Sequence, residues 1–455
     1  MGHAGCGDRV SAPAAPRDGV RWFFNQPPGL AILFLTQMWE TFSYFGMRAL
    51  LVYYMTKQLL IGQQQASMIY GVYTATVYFT PIVGGVIADR WLGRRRAVII
   101  GGAIMAFGHF LMASESLFFF ALAAIALGNG LFLPSLPSQI DGLYAKDDPR
   151  RGSAYNFYYV GLNLGGLLAP LVCGTLGEVY GWHWGFGAAG IGMLGGLLLY
   201  VFGQRWLPQE PPRSARVVEK TTDATPRDAL KQRVMALVAV ALCVMVFRGA
   251  YEQTGNTIAL WADAGIDRNF LGLVIPMTWF QALNPLLVIA LTPVLVAHWV
   301  RQARRGREPT PARKMAMGAF GVGAAFAMLA VVDASAHGQA NWVWLALFFL
   351  VLTTGELFIL PIGLGLFARL APKGHGATTI AGWFFTSFGG NLLAGALGML
   401  WTSFGPSAFF GAMALVAAAA GTLLRLLDGA VGRAEAGNAT ATMVSKLAPE
   451  RAQSD

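Results

Sequence analysis

Long apolar segments alternate with short polar connections along almost the whole chain. A helix needs about 20 mainly apolar residues to cross a bilayer. Twelve segments reach that length, over residues 29–56, 66–88, 97–114, 117–144, 153–177, 182–204, 234–262, 271–299, 314–333, 342–368, 377–401 and 405–427. Several exceed the minimum, so we expect helices that tilt or extend past the bilayer.

The connection between spans 6 and 7 is longer and more polar than those before it. It separates the first six predicted spans from the last six. Residues 205–233 contain four prolines, mixed charge and no apolar run. The pattern predicts an all-α membrane protein with two six-helix bundles, 29–204 and 234–427, joined by this linker and flanked by polar tails, 1–28 and 428–455. Paired bundles are typical of secondary transporters, whose substrate site lies between the halves near the midplane.

Composition and charge support a membrane protein. The chain is 55% apolar and only 12% charged, against roughly 25% charged in soluble domains. Of its 33 Lys and Arg residues, only Lys57 and Arg268 lie in the connections opposite the termini, and only Arg48 and Arg248 lie well inside spans. The positive-inside rule therefore predicts that both termini are cytoplasmic, in a cell inner membrane. Because the net charge of +10 is spread over short clusters, a nucleic-acid partner is not expected.

Several other classes of protein lack support. The three cysteines, Cys6, Cys173 and Cys243, show no spacing typical of disulfides or a metal site. Residues 1–20 lack the apolar core of a signal peptide. No phosphate-binding loop and no nucleophile–base set stands out. We therefore expect no cofactor, no metal and no enzymatic activity.

The connection between spans 2 and 3 reads GGVIADRWLGRRR over residues 84–96. A tight turn needs glycine, and an acid with several arginines can hold neighbouring helix ends by charge. We expect this role for Gly85, Asp89, Arg90, Gly93 and Arg94. The alternative is a simple positive-inside anchor.

Further motifs follow in order along the chain. Residues 157–165 read FYYVGLNLG, 251–255 read YEQTG, 281–285 read QALNP, 355–357 read GEL and 382–384 read GWF. Together with the loop motif, they resemble the proton-dependent oligopeptide transporter family of the major facilitator superfamily. The resemblance implies a twelve-helix facilitator fold and proton-coupled transport of di- and tripeptides, or of peptide-like amines, by alternating access.

The chain departs from the family pattern at positions that carry charge. Residues 37–46 read QMWETFSYFG, where the family pattern is Glu-x-x-Glu-Arg-Phe-x-Tyr-Tyr-Gly. Gln37 replaces an acid and Thr41 an arginine, and Leu133 stands where span 4 of the family has lysine. The chain thus resembles an atypical member. Alternatives are a facilitator without proton coupling, an exporter of a substrate lacking a carboxylate, and a non-transporting membrane sensor.

Five charged residues fall well inside predicted spans: Glu40, Arg48, Arg248, Glu252 and Glu356. Each costs at least about 2.5–3.5 kcal/mol on insertion scales, so each is a functional candidate. The alternatives are a structural ion pair or a side chain that reaches the interface. At 1.5 Å per residue, the residues expected near the midplane are Glu40, Asn163, Asn284 and Glu356.

The resemblance also implies roles for these residues. Asn163, Asn284 and Glu356 would receive the amino group of the substrate. Arg48 and Glu252 would form a gate between spans 1 and 7. Apart from the resemblance, the three acids inside spans, Glu40, Glu252 and Glu356, are candidate proton carriers because they are buried. Arg248 has no recognised counterpart. It either neutralises Glu252, four residues away on the same helix face, or supplies a cation to the cavity.

Aromatic residues complete the predicted site. Tyr44, Tyr78 and Trp383 could line side-chain pockets, although aromatic residues at helical spacing are as often packing. His109 is expected to be a packed, neutral residue. The expected partners are the lipid bilayer, a peptide or peptide-like amine and, as a candidate co-substrate, protons; we expect a monomer.

Overall fold

A computed structural model describes residues 26–145, 148, 150–208, 227–336, 338–372 and 375–436. Most of the two predicted tails, and Cys6 with them, lie outside the described residues. So does most of the predicted linker.

Helices make up nearly all of the described chain. They are α1 (Pro28–Tyr53), α2 (Gln63–Ile87), α3 (Arg94–Leu111), α4 (Phe118–Ser135), α5 (Arg151–Ala169), α6 (Trp182–Gly203), α7 (Arg227–Tyr251), α8 (Thr257–Ala264), α9 (Trp279–Arg304), α10 (Pro311–Ser335), α11 (Trp342–Leu357), α12 (Leu360–Leu370), α13 (Gly376–Gly398), α14 (Trp401–Phe404) and α15 (Pro406–Leu426). Short π-helical or 3-10 turns extend several of them, as at Tyr54–Gln58 after α1.

The described residues include 10 helical segments long and apolar enough to cross a membrane. Each overlaps one of the predicted spans. The two remaining predicted spans correspond to α1 and α3, which are also long helices. Polar side chains lower the hydropathy of α1, and α3 begins with three arginines. An all-helical membrane protein is therefore confirmed, and the helices are consistent with twelve spans.

Two predicted spans are interrupted in the structure. Span 234–262 is broken between α7 and α8, where Glu252–Gly255 forms a 3-10 turn and Asn256 leaves the helical region. Span 342–368 is broken between α11 and α12 at residues 358–359, shortly after Glu356. Helices interrupted within the membrane are a common way to expose backbone groups at a transport site.

Helices of each predicted half pack mainly with one another. In the first half, α1 packs on α5 and α6, and α4 packs on α2 and α3. In the second, α10 packs on α11 and α15, and α13 packs on α7. The halves meet mainly along α2 with α13 and α5 with α9. At the first contact the backbones touch, because a Cβ on Gly71 would strike the backbone of Gly395.

Four two-residue strands form a small feature that the sequence did not predict. Ile266–Asp267 (β1) pairs in parallel with Ala340–Asn341 (β4). Asn269–Phe270 (β2) pairs antiparallel with Leu273–Val274 (β3). They lie at the end of the bundle where α1 leads into α2, which we call the distal end. The opposite end, where α1 begins, is the proximal end.

Candidate functional site

A cavity of about 180 Å³ lies between the two halves. Its wall draws on α1, α2 and α5 from one half and on α7, α9 and α11 from the other. Small-ligand pockets usually measure roughly 300–1,000 Å³. In this conformation the cavity therefore suits a small polar molecule.

One side of the cavity is acidic. Glu356 accepts a hydrogen bond of 2.6 Å from Asn284 Nδ2 and is also a hydrogen-bond partner of the Tyr251 hydroxyl. The Asn284 amide also lies 3.0 Å from Thr353 Oγ1. Glu356 occupies the last turn of α11, where the negative end of the helix dipole adds to its charge. Asn163, from the other half, also lines this cavity.

The other side carries two arginines on one carboxylate. Arg48 Nη2 lies 2.7 Å from Glu252 Oε2, and Arg248 Nη1 lies 2.9 Å from Glu252 Oε1. Arg48 Nε also donates to the Tyr70 hydroxyl at 2.6 Å. All three charged side chains are buried and line the cavity. Since two guanidinium groups share one carboxylate, the cluster carries one net positive charge.

Arg248 has both properties that the sequence left as alternatives. It pairs with Glu252 one helical turn away, and it lines the cavity. Its Nε is buried and has no hydrogen-bond partner within the described ranges. Gly390 of α13 makes room for it, because a Cβ there would meet the aliphatic part of Arg248.

Glu40 lies apart from the cavity wall. It accepts hydrogen bonds from Gln37 Nε2 at 2.7 Å and from Thr41 Oγ1 at 3.2 Å. Tyr158 of α5 donates in turn to the Gln37 side chain. In the part of the chain that the structure describes, no cation forms an ion pair with Glu40. Its buried carboxyl group thus has neutral hydrogen-bond partners.

The predicted aromatic residues separate into two groups. Tyr78 lines the cavity, whereas Tyr44 and Trp383 do not. Trp383 packs against Phe367, with ring centroids 5.1 Å apart. The Tyr44 hydroxyl is buried without a partner among the residues that are described. His109 is fully buried, with Nε2 2.6 Å from Ser43 Oγ.

Two tyrosines that contact charged side chains of the site, Tyr70 and Tyr251, were not predicted from the sequence. Tyr251 stands directly before Glu252, so its place in that motif was an available signal. Tyr70 had none, because its contact with Arg48 depends on how α1 packs against α2.

Residues 84–96 connect helix ends at the proximal end. Gly93 has φ 81° and ψ 155°, a conformation that glycine adopts most readily. Arg94 Nη1 donates to the Ser138 carbonyl at 2.8 Å. Arg95, which was not among the predicted motif residues, donates to the carbonyls of Leu207 and Pro208 beyond α6. Gly85 packs near Pro134 of α4. Asp89 and Arg90 are both exposed.

Polar contacts join the halves at the distal end. Lys57 lies 2.5 Å from Asp263, and Ser67 donates to Asn256 at 2.9 Å. Arg48 and Glu252 are the most deeply buried ion pair of this set. An opening of the cavity toward the distal end would have to break these contacts.

Comparison with known proteins gives consistent matches. A sequence profile described as the POT family matches residues 95–233 and 222–416. A di-/tripeptide transporter of Lactococcus lactis subsp. cremoris is 32% identical over 434 residues, which is 80% of this chain and 87% of that protein. A crystal structure of the peptide transporter POT with sulfate has a TM-score of 0.84 and 30% identity, covering 92% of this chain and 97% of that one. A POT family transporter in complex with 5-aminolevulinic acid has a TM-score of 0.82 and 26% identity, covering 91% and 98%.

Proposed function

Because this chain belongs to the POT family and has its major facilitator fold, we propose that it is a secondary transporter of di- and tripeptides or peptide-like amines, coupled to protons. The family resemblance inferred from the motifs is thereby confirmed. The similar proteins are named as di-/tripeptide transporters or were solved with ligands that include 5-aminolevulinic acid. Di- and tripeptides and 5-aminolevulinic acid each carry an amino group and a carboxylate.

The observation that carries the proposal is the opposed charge of the cavity walls. An ammonium group has three donors and needs acceptors around it. Glu356, with the amides of Asn163 and Asn284, supplies acceptors drawn from both halves. We assign the substrate's amino group to this side, because a charged hydrogen bond contributes about 1.5–3 kcal/mol.

The substrate's carboxylate is assigned to the arginine side. Thr41 and Leu133 offer no cation at the two positions where the family has one. Glu252 can neutralise only one of its two arginines, and Arg248 retains donors that no described residue uses. A carboxylate left unpaired in a buried cavity costs several kcal/mol, so Arg248 is the group that offsets that cost.

Proton coupling is assigned first to Glu40. Its partners Gln37 and Thr41 are neutral, so the carboxyl group can gain or lose a proton without breaking an ion pair. Glu252 is held by two arginines, and it couples instead to the gate. The proposed cycle alternates between this distally closed state and one in which Arg48 separates from Glu252.

We further propose that the chain lies in a cell inner membrane with both termini cytoplasmic. The support is the near absence of Lys and Arg from the distal connections. The proximal end is then cytoplasmic, and the distal contacts form the outer gate.

Uptake into proteoliposomes tests the proposal. A labelled dipeptide should accumulate when the lumen is alkaline, and a protonophore should abolish the accumulation. Glu356→Gln should remove uptake, whereas the matched control Glu115→Gln, an exposed acid of the distal end, should not. Equal uptake with and without the gradient would indicate an uncoupled facilitator. Binding without flux would indicate a sensor, and either result would overturn the coupled transporter.

A further inference from the structure

A second pocket, of about 580 Å³, lies at the proximal end of the second half, away from the central cavity. It is formed by the loop between α9 and α10, one face of α10 and the last turn of α15. The side chains that define it are three arginines and two large apolar residues: Arg307, Arg313, Arg425, Met317 and Phe320. None of these side chains has a role in the proposed transport of a substrate.

Cations outnumber acids around the pocket. Arg313 lies 2.6 Å and Arg425 3.2 Å from the same oxygen of Asp428, so one carboxylate serves two guanidinium groups. Glu308 is paired with Lys314. The side chain of Arg307 has no ion pair or hydrogen bond to any described residue.

Four cations therefore face two carboxylates, which leaves an excess of two positive charges. Such an excess favours a ligand of net negative charge. Because the arginines offer several donors each in a planar arrangement, they suit a phosphate group in particular.

The pocket changes from charged to apolar along α10. Arg313, Met317 and Phe320 lie on one helix face, at i, i+4 and i+7. With a rise of 1.5 Å per residue, Phe320 lies about 10 Å deeper in the membrane than Arg313. Met317 and Phe320 are 55% and 44% exposed. A charged rim above exposed apolar side chains matches the headgroup and acyl chain of a lipid.

We propose that this pocket binds an anionic phospholipid of the proximal leaflet, with its phosphate among the arginines and its acyl chain along Met317 and Phe320. Basic pockets between membrane helices are known to hold anionic headgroups. A zwitterionic lipid brings its own cation and would not relieve the positive excess. A bound lipid would join the α9–α10 loop to α15 and steady the packing of the second half.

Lipid retention in detergent tests the proposal. Purified protein is incubated with phosphatidylglycerol or phosphatidylcholine, and bound lipid is counted by native mass spectrometry. The wild type should retain phosphatidylglycerol preferentially. Arg307→Gln should weaken retention about fivefold, since one cation near an anionic headgroup contributes about that factor. The matched control Arg305→Gln, an exposed arginine of the same loop, should leave retention unchanged.

Two further variants separate this site from diffuse charge and from free phosphate. Asp428→Asn should strengthen retention, because it raises the positive excess. Met317→Ser should weaken lipid retention without changing any protection from thermal unfolding by inorganic phosphate. Equal retention of the two lipids, equal loss in Arg305→Gln and Arg307→Gln, or complete displacement of the lipid by inorganic phosphate would each overturn the proposal.

Discussion

Exchanging the charges of Arg48 and Glu252 should restore the stability that either single change removes, but only when Arg248 is neutralised. In the wild type, each oxygen of Glu252 holds one arginine, at 2.7 and 2.9 Å. The exchange Arg48→Glu with Glu252→Arg rebuilds the pair across the halves, and Tyr70 can donate to the new carboxylate. It also places a second arginine one helical turn from Arg248.

The expected interaction energies follow from the distances between the charges. At an effective dielectric constant of about 20, opposite charges about 4 Å apart attract by about 4 kcal/mol. Like charges about 6 Å apart, as expected for residues 248 and 252 on one helix, repel by about 3 kcal/mol. The exchange therefore gains only about 1 kcal/mol while Arg248 is present. In an Arg248→Gln background the repulsion disappears, and most of the attraction should return.

The assay is a pair of mutant cycles in two backgrounds. The single changes Arg48→Glu and Glu252→Arg and the exchange are compared with Arg248 intact and with Arg248→Gln. Thermal unfolding in detergent and dipeptide uptake are the readouts, each scaled to its own background. Relative to its own background, the exchange should be about 3 kcal/mol less stable with Arg248 intact than in Arg248→Gln, because the repulsion from residue 248 is absent from the second background. Equal rescue in both backgrounds would refute the shared carboxylate, and rescue in neither would refute the pairing of Arg48 with Glu252.

The other predictions concern the substrate, the proton and the loop. Glu356→Gln should weaken dipeptide binding about ten- to a hundredfold, the worth of a charged hydrogen bond, at an unchanged unfolding temperature; wild-type affinity would exclude it from the site. A dipeptide should compete at least about tenfold better than its C-terminal amide, and Arg248→Gln should erase that preference; a preference that survives would place the carboxylate elsewhere. Glu40→Gln should abolish uptake driven by the proton gradient but leave substrate exchange, and loss of both would make its role structural. Gly93→Ala should destabilise the fold by about 1–3 kcal/mol in unfolding measurements, whereas Gly187→Ala, with open space around its Cβ position, should be neutral.

The span pattern could be predicted because a bilayer imposes a length and a polarity on every helix that crosses it. The predicted spans recur as helices, and the ordered motifs led to the correct family. The helix breaks at Glu252–Gly255 and at residues 358–359 were not predicted. Hydropathy averages over a window, so it cannot register where a few backbone hydrogen bonds change within an apolar run.

The depth of a residue in the membrane could also be predicted from the sequence, because the rise per residue of a helix is constant. The direction in which its side chain points could not. Glu40 and Glu356 were both expected near the midplane. Only Glu356 lines the cavity, and Glu40 lies in a neutral hydrogen-bond cluster between α1 and α5. Trp383 likewise packs against Phe367. The direction in which a helix face points is set by packing against neighbouring helices. The sequence of one helix does not specify which helices those are.

The sequence by itself determined that this chain is a membrane transporter of a known family, that two cations of the family pattern are missing, and that Arg248 shares a helix face with Glu252. The last follows from helical periodicity within one segment. Only the tertiary structure decided that Arg48, 204 positions away, joins the same carboxylate, and that Arg248 reaches the cavity. Those contacts form between the two halves, where the partner of each side chain is fixed by the packing of whole helices.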